Sequence, residues 1–449
     1  MDSEDNITNT MDVLQTELDL SMKDIKTIQS KALPAILSYP RSELRKRILV
    51  YKLDLEYPKE EIKKMVWKDP RMLRTDSTNV RQILKVLKEE LDIGIEDVHS
   101  MLGKEILLLT YNAEDNIRPT IQYLKNSEVG TCLGMVERKG ISTISVPHHE
   151  RAQIIQSRLK NLIMGHPKIL SSSLERNLKP TVEFFLRDVG LSPYEFGRVI
   201  YRRGGSLLEA NVERTLKRKV EFLRLELGLE VELEVDDCIA MSSVGGGGID
   251  TMDEPEVEQP KVEAPLPSLS NSSTSHSQNA SPTRATLTNT DKKRLLAQML
   301  ATNPDILTLS IDNNLKPKFD YLRDTVQFTK EQIRYIMLKR PQLLALSLDR
   351  NIIPKIEYFL QERQEVTQKM NVDSYSGGLG MTMEEIREWI LLYPQTLAFV
   401  LESRIKSRIF DVVRLDLKVG DGEGEAPMNF VTRSERSWSN WMGDYVTDN

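Results

Sequence analysis

A basic residue recurs at one fixed position of a sequence motif that this 449-residue chain repeats along its length. In six copies a basic residue stands twelve places after the first residue of the motif: Lys46, Arg118, Lys179, Lys217, Lys316 and Lys406. Gln82 and Ile353 interrupt the series, and Arg202-Arg203 adds a basic pair. A line of cations suits a phosphate backbone, whose neutralisation dominates nucleic-acid affinity. Solvated lysines on a helix surface would give the same pattern, and the residues alone support the two interpretations equally.

Residues that could support catalysis or metal binding form no comparable pattern. The five histidines are scattered, and His148-His149 has no second ligand pair at the spacing that a zinc site needs. The glycine run at 245–248 is not a phosphate-binding loop, because no Gly-Lys-Ser/Thr follows it. We find no Ser/His/Asp or Cys/His arrangement. The sequence therefore predicts a protein that is not an enzyme, with no catalytic residue, cofactor or metal site.

Acidic residues also recur, eight places after the first residue of the motif. Six copies have one: Glu114, Glu175, Glu213, Asp312, Asp349 and Glu402. A periodic row of acids could be a ladder of metal ligands. We favour the interpretation that they accompany helix N-termini, where the helix dipole stabilises negative charge.

The repeated motif itself is clearest in PKILSSSLERNLKPTVEFFL (167–186), PDILTLSIDNNLKPKFDYL (304–322) and PQLLALSLDRNIIPKIEYFL (341–360). We call its first residue the anchor and name each unit after it. Eight copies align, with anchors at Pro34, Pro70, Ile106, Pro167, Gly205, Pro304, Pro341 and Pro394. A leucine follows three places later in all eight: Leu37, Leu73, Leu109, Leu170, Leu208, Leu307, Leu344 and Leu397. A period of roughly 20–50 residues indicates stacked helical units rather than one closed core.

Each unit is predicted to hold a short turn and two helices. Asn116, Asn177, Thr215, Asn314 and Asn351 are suitable N-caps for the first helix, while Ser173, Ser310 and Ser347 offer a competing start one turn earlier. Segments 60–70 and 383–394 typify the second helix. Anchor spacings of 36–38 residues rise to 61, 99 and 53 at three insertions.

The distribution of charge bears on the choice of partner. The net charge of −6 argues against a nucleic-acid partner. However, segments 1–20 and 230–290 are strongly acidic, and the rest of the chain has 59 basic against 50 acidic residues. The repeat body is thus mildly basic. Two cysteines fit a reducing intracellular compartment, and no apolar run is long enough to span a membrane.

The motif resembles the repeat of the mitochondrial transcription termination factor family, mTERF. The segments RDVGLSPYEF (187–196) and RVIYRRGGSLL (198–208) share this resemblance. The resemblance covers about 11–417 apart from the insertions. It implies an all-α superhelix, a location in mitochondria or chloroplasts, and binding of double-stranded nucleic acid. It also implies roles in organelle transcription, or in splicing or ribosome assembly on RNA. The expected presequence is not visible in this chain, the insert at 236–290 is long, and the overall charge is acidic.

From these observations we expect a helical-repeat solenoid of about eight units with disordered insertions. The boundaries are an acidic tail at 1–20, repeats at 21–235, a disordered linker at 236–290, repeats at 291–419 and a C-terminal tail at 420–449. The expected function is regulation or termination of organelle transcription by a monomer that binds duplex DNA through phosphate contacts, with no membrane association. The site residues would be the six periodic cations with Arg202 and Arg203. Two alternatives stay open: binding of structured RNA, and a protein-binding scaffold with an apolar or negative groove.

Overall fold

The computed structural model describes residues 12–28, 39–135, 148–231, 287–366, 370–420 and 425–448. These residues form a row of helical repeats, which confirms the predicted fold class. The one sheet in these ranges is a parallel pair, Val419–Gly420 with Ala426–Pro427. Pro34, Leu37 and residues 236–286 of the predicted linker lie outside the described ranges.

Each anchor opens a tight 3₁₀ turn in six of the described units: Pro70–Arg74, Ile106–Thr110, Pro167–Ser171, Pro304–Thr308, Pro341–Ala345 and Pro394–Ala398. The residue before the anchor leaves the helical region, as at Asp69 with φ −148° and ψ 97°, because a following proline disfavours helical backbone there. Glu105 does the same before Ile106, with φ −133° and ψ 87°, so packing maintains the turn even without proline. The anchor-plus-three leucine is buried in all seven described copies, which confirms the predicted register.

The Gly205 unit departs from this plan. Its preceding helix, Pro193–Leu208, runs through the anchor position without a break. A Cβ atom on Gly205 would lie 1.9 Å from the imidazole carbons of His166, so a glycine is needed for this close approach. Leu208 is nevertheless buried like its counterparts.

The prediction that asparagines cap the first helix of these units is wrong, because the helix starts one turn earlier. Ser173, Ser310 and Ser347 are the caps, and each Oγ accepts a hydrogen bond of 3.2 Å from the N–H three residues on. A wide π-type turn follows, as in the bond from Leu315 N to Ser310 O of 3.0 Å. Such a turn makes room for the proline thirteen places after the anchor, whose ring would otherwise crowd the carbonyl four residues earlier.

The helices of the units follow in strict order along the chain. First helices, some of which begin or end in π-type turns, span Arg41–Leu53, Ser77–Leu91, Ala113–Asn126, Leu174–Asp188, Val212–Leu227, Ile311–Thr325, Leu348–Leu360 and Leu401–Arg414. Second helices span Lys59–Lys68, Ile95–Lys104, His148–Gly165, Pro193–Leu208, Asn289–Thr302, Lys330–Lys339 and Met383–Leu392. The first insertion adds the helix Glu128–Met135, and the third adds the short 3₁₀ turn Val372–Ser374.

Neighbouring units are joined by a repeated hydrogen bond that we call the joint. A lysine fourteen places after the anchor donates to the carbonyl of the anchor-plus-three leucine of the next unit. The Nζ–O distance is 2.6 Å in three joints: Lys219 to Leu307, Lys318 to Leu344 and Lys355 to Leu397. A carbonyl at the end of such a turn has no helical partner of its own, so the joint satisfies it. Nearer the N-terminus an asparagine side chain replaces the lysine: Asn79 Nδ2 donates to the carbonyl oxygen of Leu109 over 3.3 Å.

The stack is continuous across the 236–290 insert. Lys219 reaches Leu307 across it, and the rings of Phe222 and Phe319 meet edge to face with centroids 5.7 Å apart. Arg323 also pairs with Glu226 over 3.3 Å. The helices before and after the insert therefore pack against each other in one stack.

Both ends of the stack are covered by additional helices. Residues 12–18 and 22–28 are helical, and Leu14, Leu18 and Ile25 are buried, so part of the predicted acidic tail is packed. At the other end the helix Glu435–Asp448 lies within the predicted C-terminal tail. Phe430, Val431 and Trp438 are buried there.

Candidate nucleic-acid interface

The cations of the predicted series lie at equivalent places in their units. Arg118, Lys179, Lys217, Lys316 and Lys406 all lie early in the first helix of a unit, at the π-type turn or directly after it. Lys46 is exposed on the helix Arg41–Leu53. All six therefore reach solvent, at least in part.

The periodic acids and the periodic cations prove to be partners. The acid eight places after the anchor pairs with the cation twelve places after it in four units, one helical turn apart. The distances are 2.8 Å for Glu114–Arg118, 2.8 Å for Glu213–Lys217 and 2.7 Å for Glu402–Lys406, and Glu175 pairs with Lys179 in the same way. Arg118 is further surrounded by Glu89 at 3.4 Å and Glu90 at 3.2 Å.

These pairs reduce the positive charge that the series offers to a partner. An exposed pair of this kind contributes about 0–1 kcal/mol, so a phosphate could displace the carboxylate from the cation. The carboxylate would remain beside the phosphate and repel it. This compensation was not predicted from the sequence, in which the acidic and the basic series are separate signals.

Two of the paired lysines also contact the preceding unit. Lys179 Nζ lies 6.0 Å from the ring centre of Tyr123, and Lys406 Nζ lies 5.6 Å from that of Tyr358. Cation–π contacts at this distance contribute about 0.5–1 kcal/mol at exposed sites. Part of the role of these lysines is thus to hold adjacent units together.

A second set of cations, which the sequence analysis missed, is free of such pairing. Arg176, Arg214 and Arg350 stand nine places after their anchors and are exposed. None of the three forms an ion pair with another described residue. Arg350 belongs to the unit in which Ile353 interrupts the predicted series. The signal was present in the sequence as an arginine at the same place in three copies.

Lys316 completes this set in the Pro304 unit. It is exposed and has no ion pair within the described ranges. Four successive units therefore each present a cation without an ion pair to a described residue, in the first turn of the first helix for the three arginines and directly after the π-type turn for Lys316. We call Arg176, Arg214, Lys316 and Arg350 the unpaired row.

The comparison with known families agrees with this architecture. The mTERF family model matches residues 2–131 and 285–431, more than half of the chain. The chain belongs to the mTERF family. Membership indicates an organellar nucleic-acid-binding regulator built of helical repeats, in a family that is generally non-enzymatic. No curated protein matches the chain.

The matched ranges of this mTERF chain omit the Pro167 unit and the first helix of the Gly205 unit. The Pro167 unit nevertheless has the same 3₁₀ turn, buried leucine and capped helix as the matched units of this chain. Both omitted parts contribute to the unpaired row, through Arg176 and Arg214. The row therefore extends over units outside the matched ranges as well as units inside them.

The basic pair Arg202-Arg203 lies apart from the first-helix cations, on the helix Pro193–Leu208. Arg202 is exposed and lines a cavity of about 190 Å³ together with Arg158 and His166. Glu209 lies 3.7 Å from His166 Nδ1, and its burial raises the pKa of its carboxyl. The side chain of Arg203 lies outside the described part of the chain.

The described ranges contain no group of three His, Cys, Asp or Glu side chains placed to hold a metal ion. No helix in those ranges is long and apolar enough to cross a membrane. The Cys132 thiol is buried, and its burial raises its pKa to about 12, which makes the reactive thiolate rare at neutral pH.

Proposed function

We propose that this mTERF protein binds double-stranded nucleic acid through phosphate contacts and thereby regulates or terminates transcription in a mitochondrion or chloroplast. The observation that carries the proposal is the unpaired row. It places one exposed cation, without an ion pair to a described residue, near the start of the first helix in four successive units. The three arginines stand nine places after their anchors and Lys316 stands twelve places after its anchor. A surface of this kind neutralises phosphates at regular intervals without reading bases.

The predicted cations have a secondary place in this proposal. Lys179, Lys217 and Lys406 would contribute once a phosphate displaces the paired glutamate. Arg118 would contribute least, because three carboxylates lie within 3.4 Å of its guanidinium. Lys46, Lys316, Arg202 and Arg203 stay in the proposed site, and the protein would act as a monomer.

Structured RNA is the second candidate partner. An A-form duplex presents the same phosphates and would be recognised by its shape and 2′-hydroxyl groups. A protein-binding scaffold is supported less well, because such a role does not require the unpaired cations.

The test is fluorescence anisotropy with labelled DNA and RNA duplexes of equal length over a series of salt concentrations. The proposal expects binding at low salt that weakens as salt rises, with DNA bound more tightly than RNA. Tighter binding of RNA would favour the role on transcripts. Absence of binding to either duplex at low salt would leave the scaffold as the better account.

A further inference from the structure

A cavity of about 190 Å³ lies where the first insertion meets the stack. It is lined by residues of the helices His148–Gly165 and Pro193–Leu208, together with Leu133 from the helix of the first insertion. Leu162 and Ile200 are buried and give the cavity an apolar lining. The cavity therefore depends on an element outside the repeat, and the repeat fold alone does not account for it.

Four nitrogen-bearing side chains line this cavity. Arg158, Asn161 and His166 come from the first of the two helices or directly follow it, and Arg202 comes from the second. Arg202 is exposed and has no ion-pair partner among the described residues. Two guanidinium groups beside one small space give it positive charge, and the planar guanidinium is suited to phosphate oxygens.

Two of these side chains are held in place by their neighbours. The Arg158 guanidinium donates to the carbonyl oxygen of Leu133 and lies 5.6 Å from the ring centre of Tyr201. His166 packs against the main chain of Gly205, where a Cβ atom would come within 1.9 Å of its ring. A site whose donors are already ordered loses less entropy when a ligand binds.

Negative groups near the cavity leave the two guanidinium groups uncompensated. Among the described residues no carboxylate lines the cavity, and Glu209 stands next to it, 3.7 Å from His166 Nδ1. Carbonyl groups at the C-terminal end of the first helix could also repel an anion. However, Leu162 O accepts a hydrogen bond of 2.9 Å from His166 N, and Met164 O accepts one of 2.8 Å from Lys104 Nζ.

The two arginines stand at places where basic residues are rare in the repeat. Arg158 stands nine places before Pro167, and no other unit has a basic residue nine places before its anchor. Arg202 stands three places before Gly205, and among the other units only the Pro34 unit, with Lys31, has a basic residue there. The repeat register therefore does not explain why both arginines meet at this cavity.

We propose that this cavity binds the terminal phosphate of a nucleotide, a phosphate monoester, with Arg158 and Arg202 as the main donors. Such a group carries a charge of about −1.5 to −2 at pH 7 and offers three acceptor oxygens. The cavity is smaller than the roughly 300–1,000 Å³ of pockets that enclose whole small molecules, so only the end of the ligand enters it. Tyr201, which is 55% exposed, also lines it and offers a ring on which a base can stack.

The phosphate can belong to a free nucleoside monophosphate or to the 5′ end of a nucleic-acid strand. The chemistry is the same in both cases, and the cavity would bind either by its phosphate. Arg158 and Arg202 lie on second helices, whereas the unpaired row lies on first helices. The proposal therefore does not depend on phosphate binding by the unpaired row.

Isothermal titration calorimetry with the full chain compares AMP with adenosine, which lacks the phosphate. We expect AMP to bind and adenosine to show no binding at the same concentrations. Arg202→Gln should weaken AMP binding at least about tenfold, because a charge-assisted hydrogen bond is lost. The control is Arg198→Gln, one turn earlier on the same helix and beside Tyr194, which should bind AMP as the wild type does.

A second measurement tests strand ends by fluorescence anisotropy, with one DNA duplex carrying either 5′-phosphate or 5′-hydroxyl ends. If strand ends are the ligand, the phosphorylated duplex binds more tightly to the wild type, and Arg202→Gln removes the difference. The 5′-hydroxyl duplex measures the unpaired row alone, so its failure to bind is distinguishable from a failure of the cavity, which AMP still tests.

The two measurements together decide the proposal. An effect of the phosphate confined to AMP identifies a free nucleotide as the ligand, and one confined to the duplex identifies a strand end. The proposal is overturned if the phosphate improves binding in neither comparison. It is also overturned if the phosphate improves binding equally in the wild type and in Arg202→Gln, since circular dichroism can show that this exposed substitution leaves the fold intact.

Discussion

Lys318 donates a hydrogen bond to the main-chain carbonyl of Leu344 in the next unit, with 2.6 Å between Nζ and O. Its side chain is only 1% exposed, and its second acceptor is the neutral amide oxygen of Asn314. Lys355 repeats the arrangement with Leu397 and Asn351. Burial lowers the pKa of both ammonium groups to about 8. The joints thus combine a strong hydrogen bond with the unfavourable burial of a charge.

Stability should therefore rise with pH above about 8. The folded chain releases these two protons near pH 8, whereas the unfolded chain holds them up to its ordinary lysine pKa of 10.5. Between these values the unfolded state binds more protons, so the free energy of unfolding increases with pH. One pKa unit corresponds to about 1.4 kcal/mol, which limits the gain to no more than about 3.5 kcal/mol per lysine.

Urea unfolding at pH 7.5, 9 and 10 checks this expectation. The control is the Lys318→Met, Lys355→Met double variant, in which the rise should be smaller because the titrating groups are gone. Identical pH profiles for the wild type and the double variant would show that the two ammonium groups keep their ordinary pKa.

The anchor-plus-three leucines should contribute strongly to stability. Leu170→Ala and Leu344→Ala should each destabilise the fold by about 2–5 kcal/mol, because both side chains are completely buried and would leave a cavity. Chemical denaturation measures the loss. Leu392→Ala, at a leucine that is 57% exposed, is the matched control and should change stability by less than about 0.5 kcal/mol. Equal effects at buried and exposed sites would refute the repeat register.

Removal of residues 240–282 should leave the unfolding temperature nearly unchanged. The units on both sides of the insert are held by the Lys219–Leu307 joint and the contact between Phe222 and Phe319. A shorter connection between fixed ends changes the loop entropy only slightly. Differential scanning calorimetry on the deletion variant makes the comparison. A large drop in the transition temperature would mean that the insert itself stabilises the stack.

The sequence predicted the parts of the fold that depend on local apolar patterns. The anchor-plus-three leucines and the succession of a short turn and two helices in each unit follow from hydrophobic burial and proline geometry. The helix starts were misplaced by one turn because Asn314 and Ser310 are both good caps in isolation. Only the structure shows that Ser310 caps the helix, while Asn314 accepts a bond from Lys318.

The site was harder to predict, because charge compensation depends on which side chains meet. Glu175 and Lys179 each gave a periodic signal, but their pairing appears only when the helix register is known. Arg350 was missed for a related reason. Its exposure and its lack of an ion pair with a described residue appear only in the fold, and it lies in the unit where Ile353 interrupts the predicted series. Lys318 has no feature in the sequence that distinguishes it from a surface lysine, and the structure shows it buried in a joint between units.

The most direct test of the central claim compares two triple variants with the same change in net charge. One replaces Arg176, Arg214 and Arg350 by glutamine, and the other replaces the paired Lys179, Lys217 and Lys406. The affinity for a DNA duplex is measured against salt concentration. We predict that the slope of log K against log salt falls in magnitude by about 0.9 per lost contact in the arginine variant, and by much less in the lysine variant. An unchanged slope in the arginine variant, with its helical spectrum intact, would contradict phosphate binding by the unpaired row.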